Sequence, residues 1–229
     1  MEPKDQQATI KRARVAIVGL DRETAATLKP LFEQFHICAE VLEDQAPQRL
    51  KCEKFDGCVV RLGPGADEVL SAARSNAANS RMVVYGVCNS IGDARPFSKF
   101  GINALLTLPL DRREALKAIK GSHLLVLHEF RRYVRIPLAA DVTVIISGTV
   151  IKAASTEISG GGMSLKISVP LNTGERVEVT LSLPNGPALR TPAIVRWTRP
   201  AEQLIGVRFE DEDGRTRVKN WIDKYLGYM

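Results

Sequence analysis

The run RVEVTLSLPNGPALRTPAIVRW, from Arg176 to Trp197, alternates apolar and polar residues, breaks at Pro184-Asn185-Gly186-Pro187, and then alternates again. A period of two sends one face of a strand to a core and the other to solvent, and Asn-Gly supplies the positive φ that a tight reversal needs. The run therefore reads as an antiparallel hairpin of Arg176 to Leu183 and Thr191 to Trp197. The same rhythm appears in Asp141 to Ile146, Thr149 to Ala154 and Met163 to Val169 upstream, and in Leu204 to Glu210 downstream. Six short strands with turns between them predict an antiparallel β-barrel, which closes on itself and leaves no exposed edge. After the last strand, Val218, Trp221, Ile222 and Tyr225 share one helical stripe, so Arg215 to Leu226 is expected to be a terminal helix covering the barrel.

The first half keeps a different rhythm. Val15 to Leu20, Cys38 to Leu42, Cys58 to Leu62, Met82 to Cys88 and Ala104 to Leu108 are apolar runs without polar alternation, as expected of parallel strands covered on both faces. Helical patterns fall between them, at Thr24 to Phe35 and Asp67 to Ser75. This alternation predicts a doubly wound, five-stranded parallel α/β sheet. Asp111 to Phe130 has helical spacing, with Asp111 placed to cap its start and Gly121 weakening its middle by roughly 1 kcal/mol relative to alanine. The expected division is a polar tail over 1–11, an α/β domain over 12–120, a helical linker over 121–130 and the barrel over 131–229. An amphipathic connector of this kind also offers a seam for a homodimer.

The 229 residues are 45% hydrophobic and 25% charged, a soluble globular composition long enough for two cores. No stretch approaches the roughly 18 continuous apolar residues of a membrane span, and Met1 to Arg14 lacks the apolar segment of a secretory signal, so a cytoplasmic location is expected. The net charge of +6 favours an anionic partner without naming it. Cys38, Cys52, Cys58 and Cys88 have no CxxC spacing and read as reduced. His36, His123 and His128 are scattered, so no metal site is expected. Gly63-Pro64-Gly65 lacks the following Gly-Lys-Ser/Thr of a phosphate loop and reads as a turn.

Gly101-Ile-Asn-Ala-Leu-Leu-Thr-Leu-Pro-Leu-Asp111 resembles the end of a receiver domain of two-component signalling, where a strand ends in Lys-Pro before the final helix. Leu108 takes the place of that lysine. The resemblance implies an acidic pair after the first strand, where only Asp21 is acidic. It implies an aspartate phosphoacceptor at the position of Arg61, and a hydroxyl at about Gly86. A cation cannot serve as the nucleophile, so the likeness implies a pseudo-receiver that makes protein contacts. A flavodoxin-like unit unrelated to receivers is the alternative reading.

Arg131-Arg132-Tyr133-Val134-Arg135 matches the RxxxR motif that opens PilZ domains, and Glu157-Ile-Ser-Gly-Gly-Gly162 matches their second motif, [D/N]xSxxG, except at its first position. Ile205-Gly-Val-Arg-Phe209 resembles the family's last barrel strand. The resemblance spans nearly all of 131–229 and implies a receptor for the bacterial second messenger cyclic di-GMP, with no catalysis and no metal. Arginine suits that ligand because its planar fork bonds phosphate bidentately, pairs with guanine O6 and N7, and stacks on purines. If the opening motif is extended, Arg131 and Arg135 share a face and Arg132 points the other way. By resemblance, Arg131 and Arg135 grip the nucleotide with help from Arg132, while Glu157, Ser159, Gly160, Gly161 and Gly162 line the guanine pocket. Trp197 reads as barrel rim or core rather than as a stacking platform for a base. Glu157 adds a methylene to the family's aspartate, which points to a second reading: an adaptor that has lost nucleotide binding and acts through protein contacts. In the first reading, nucleotide binding reorients the pseudo-receiver, which carries the protein partner. Motility, adhesion and exopolysaccharide output are the processes the resemblance implies.

Overall fold

The computed structural model describes residues 12–228, so the expected tail over 1–11 lies outside the described residues. The chain divides into two compact units, 1–130 and 131–229.

The first unit is a five-stranded parallel sheet in the order β2-β1-β3-β4-β5, built from β1 (Ala13–Val18), β2 (Ile37–Leu42), β3 (Gly57–Arg61), β4 (Val83–Cys88) and β5 (Ala104–Thr107). This is the doubly wound order of receivers and flavodoxins, with its switch point between β1 and β3. Every residue of β4 is buried, which explains why the central strands read as unbroken apolar runs. α1 (Arg22–Glu33) starts at Asp21, whose side chain accepts from Thr24 N, and buries Leu28, Leu31 and Phe32. α3 (Ala66–Ser75) buries Val69, Leu70, Ala72 and Ala73. Two elements have no counterpart in the sequence reading: α2 (Ala46–Cys52) and a 3-10 segment, Ile91–Phe100. Each buries only two residues, too few to print a period.

α4 runs from Arg112 to Tyr133, with Asp111 Oδ1 accepting from Arg113 N and Glu114 N at 2.8 and 2.9 Å. It passes through Gly121 unbroken and continues three residues beyond the expected end, so Arg131, Arg132 and Tyr133 are helical. The extended geometry expected for the opening motif is therefore incorrect. At 3.6 residues per turn the alternation of faces no longer applies to Arg131 and Arg132.

The second unit is a closed antiparallel barrel of six strands: β7 (Asp141–Ile146), β8 (Thr149–Ser159), β9 (Gly162–Ile167), β10 (Arg176–Ser182), β11 (Ala188–Arg199) and β12 (Leu204–Phe209). The neighbours run β8-β7-β10-β11-β12-β9, and β9 pairs back with β8 to close the ring. A two-residue strand, β6 (Ile136–Pro137), adds to β8 outside the ring through Ile136↔Ile158 and Pro137↔Glu157. Val177, Val179 and Leu181 of β10 and Ile205, Val207 and Phe209 of β12 fill the interior. The hairpin reverses over Leu183 to Pro187, with Ser182 opposite Ala188 and Asn185 at φ 51°, so its loop is longer than the two-residue turn that Asn-Gly supports alone. α5 (Glu212–Tyr225) is capped by Asp211 and buries Val218, Trp221 and Ile222, while Tyr225 remains exposed. Trp221 Nε1 donates to Pro184 O at 2.8 Å, tying the helix to the hairpin loop.

Candidate functional site: an arginine-rich cleft on the barrel

The outer surface of the barrel carries a cleft of about 310 Å³ where the start of the unit, the β8–β9 turn and strands β11 and β12 converge. Arg132, Arg135, Glu157, Ser159, Gly161 and Gly162 line it from the two sequence motifs. Ser164, Arg196, Trp197, Gly206 and Arg208 line it from the strands.

Glu157 and Ser159 end β8, and a bulge between Ser155 and Glu157 resets the register just before them. Glu157 Oε1 accepts from Ser164 Oγ at 3.2 Å, which fixes the carboxylate against β9. Ser159 is buried, and its hydroxyl donates to Gly162 O at 3.1 Å across the turn. Gly162 is required by packing: a Cβ there would stand 2.1 Å from Val207 O of β12. Gly161 is exposed with open space around it, and Gly160 lies away from the cleft lining, where a Cβ would stand 2.9 Å from Lys219 Cγ of α5.

The arginines of the opening motif separate. Arg131 does not line the cleft. Its Nε donates to Asp223 Oδ1 of α5 at 2.5 Å, and its guanidinium lies 5.9 Å from the Tyr228 ring. Arg132 and Arg135 line the cleft, and Arg135 is exposed and donates to the adjacent Val134 O at 3.3 Å. The helical last turn of α4 thus brings Arg132, rather than Arg131, into the cleft beside Arg135. Arg196, Arg208 and Ser164 were missed by the sequence reading, although outward alternation in Ile205-Gly-Val-Arg-Phe209 already exposes Arg208. Trp197, expected at the barrel rim or core, instead lines the cleft from within β11, 39% exposed, with its indole laid across Gly206.

Chemically, four guanidiniums face one carboxylate over a polar floor. Such a cleft attracts a multiply charged anion, and the carboxylate and hydroxyls can accept from donors such as guanine N1 and N2. Among the described residues no three His, Cys, Asp or Glu side chains are grouped to hold a metal ion.

In the first unit the positions that receivers use for phosphoryl chemistry are occupied otherwise. Arg61 ends β3 and donates from Nη2 to Asn89 Oδ1 at 2.9 Å. Asp21 is spent on capping α1, where Thr24 N and Oγ1 donate to it and lower its pKa. Gly86 was the wrong position for the hydroxyl, because β4 runs on to Cys88 and Gly86 lies inside it, with Leu62 filling the space of its side chain. The strand's end is followed by Asn89 and Ser90, and Ser90 caps the 3-10 segment together with Asp93.

Residues 129–226, nearly all of the C-terminal unit, match the model of the PilZ domain family. Among solved structures, the chain is similar to the Bacillus subtilis inhibitor of motility MotI/DgrA, with 21% identity and a TM-score of 0.35 over 42% of this chain and 51% of that one. It therefore spans about half the length of that relative. The PilZ domain of CeSA from a cellulose-synthesizing bacterium is 17% identical, with a TM-score of 0.34 over 40% of this chain and 97% of that one. The Vibrio cholerae chemotaxis response regulator CheY4 is 14% identical, with a TM-score of 0.44 over 48% of this chain and 98% of that one. No curated protein matches the chain. Among the described residues, no helix is long and apolar enough to cross a membrane.

Proposed function

We propose that the chain is a non-catalytic receptor for cyclic di-GMP, bound in the barrel cleft. The observation that carries this reading is the convergence of Arg132 and Arg135 with Glu157, Ser159 and Gly161 around one cleft. Arg132 and Arg135 supply the first phosphate and guanine contacts, and Arg131 joins them on leaving Asp223. Because Arg131 and Arg132 form the last turn of α4, ligand contact acts on the end of a helix that belongs to the receiver-like unit through Phe130. A ligand that binds one arrangement of that turn better than another biases the equilibrium between them. The receiver-like unit, with Arg61 where a carboxylate nucleophile would stand, passes this change to a protein partner without phosphotransfer.

Two observations favour a second reading, a protein-binding adaptor with a weakened nucleotide site: Glu157 already accepts from Ser164, and Arg131 is already paired. Titration calorimetry on the full chain separates the two. Micromolar binding of cyclic di-GMP, reduced about tenfold or more in Arg135→Ala, is expected of the receptor, since a charge-assisted hydrogen bond contributes roughly 1.5–3 kcal/mol. No binding by the wild type, with binding gained in Glu157→Asp, selects the adaptor.

A further inference from the structure

β11 and β12 do not pair evenly. Their register shifts between Val195 and Trp197, so Arg196 is an extra residue opposite the Val207–Gly206 step. In an unbroken strand, adjacent side chains take opposite faces, and one of Arg196 and Trp197 would enter the barrel. The bulge turns both outward: Val195 is buried and the two residues after it are exposed. Gly206 completes the arrangement, because a Cβ there would stand 2.1 Å from Trp197 Cε2. On β12, Arg208 is exposed between buried Val207 and Phe209.

The charges around these two arginines differ from those elsewhere on the barrel. Arg176, Arg190, Arg199, Arg215 and Arg217 each lie within ion-pair distance of an acid. Among the described residues, Arg196 and Arg208 have neither an ion pair nor a hydrogen-bonded side-chain partner, yet they line the same cleft as Arg132 and Arg135. Glu157 also lines the cleft, but Arg196 and Arg208 form no ion pair with it, and an anion bound beside them offsets the repulsion among the cationic side chains.

We propose that Arg196 and Arg208 are phosphate-binding residues of the nucleotide site, contributed by the β11 bulge and β12 rather than by either sequence motif. The proposal rests on the receptor reading and adds the pair that neutralises the ligand's charge from the barrel side. Two phosphates carry two negative charges, and the strands add two guanidiniums to the two that the opening motif places in the cleft.

The test is calorimetric titration of full-length wild type, Arg196→Ala, Arg208→Ala and Arg208→Lys with cyclic di-GMP at low and high sodium chloride. Both side chains are exposed, so melting temperatures are expected to stay near wild type. Each alanine variant is expected to bind about tenfold or more weakly at low salt. Each is also expected to show a flatter dependence of Kd on salt, because a removed charge leaves less attraction to screen. Arg208→Lys, which keeps the charge and loses the fork, is expected to retain the salt dependence at intermediate affinity. Wild-type binding with unchanged alanine variants overturns this proposal and leaves the receptor reading standing. Weaker alanine variants with undiminished salt dependence also overturn it, since the residues then act by shape. A wild type that does not bind overturns both.

Discussion

Gly162 stands where the turn after β8 meets β12, and its hydrogen atom is all that fits against Val207 O. Overpacking of this kind commonly costs about 1–3 kcal/mol, and here the obstacle is backbone within the closed ring rather than the yielding end of a side chain. Gly162→Ala is therefore expected to lower the melting temperature of the barrel clearly, while Gly161→Ala, two peptide units from β8 and facing open space, leaves it nearly unchanged. Equal effects of the two substitutions in a thermal melt would remove the packing explanation. The motif's last glycine is readable in sequence as a place where backbone must come close. What approaches it is Val207, brought in by strand closure from far along the chain. Arg131 shows the same boundary of sequence reasoning. Its motif is plain, yet the carboxylate that takes its guanidinium is Asp223 on the last helix, a pairing that local spacing does not encode.

At the scale of elements, strands and long helices were legible because each repeats a period over enough residues to be counted. β7 falls on its expected bounds, and β10 and β12 end within a residue of theirs. α2, the 3-10 segment and β6 were not legible: a two-residue strand has no period, and Pro47 and Pro96 suggest breaks where short helices form. The bulge at Arg196 was equally hidden, since one extra residue in a ladder shows only once both strands are paired. α4 was read correctly as a helix but ended too early, because two arginines and a tyrosine carry no apolar mark of helix or strand. Its continuity through Gly121 yields a prediction. Gly121 is exposed in the helix interior, and a Cβ there meets nothing within 4 Å. Gly121→Ala removes backbone freedom from the unfolded chain at no steric cost, so stability is expected to rise by about 0.5–1 kcal/mol in denaturant melts. A loss of stability would mean that α4 needs to bend at this position.

For the whole molecule, the two units can be followed separately because both tryptophans, Trp197 and Trp221, lie in 131–229. Tryptophan fluorescence thus reports unfolding of the barrel, whereas far-ultraviolet circular dichroism also reports the parallel sheet and its helices. If the barrel is the proposed cyclic di-GMP receptor, a concentration near one hundred times Kd is expected to stabilise it by about 2.7 kcal/mol. For a unit of roughly 100 residues, each kcal/mol moves the transition by about 4–8 °C, so the fluorescence midpoint is expected to rise by about 10–20 °C. If ligand contact at the last turn of α4 is transmitted to the receiver-like unit, the dichroism transition of that unit moves as well. Substitution of Arg135 by alanine should then reduce both shifts together. A fluorescence shift beside a stationary transition of the first unit would keep the nucleotide receptor and remove the coupling, because a ligand cannot bias a neighbouring unit whose states it does not distinguish.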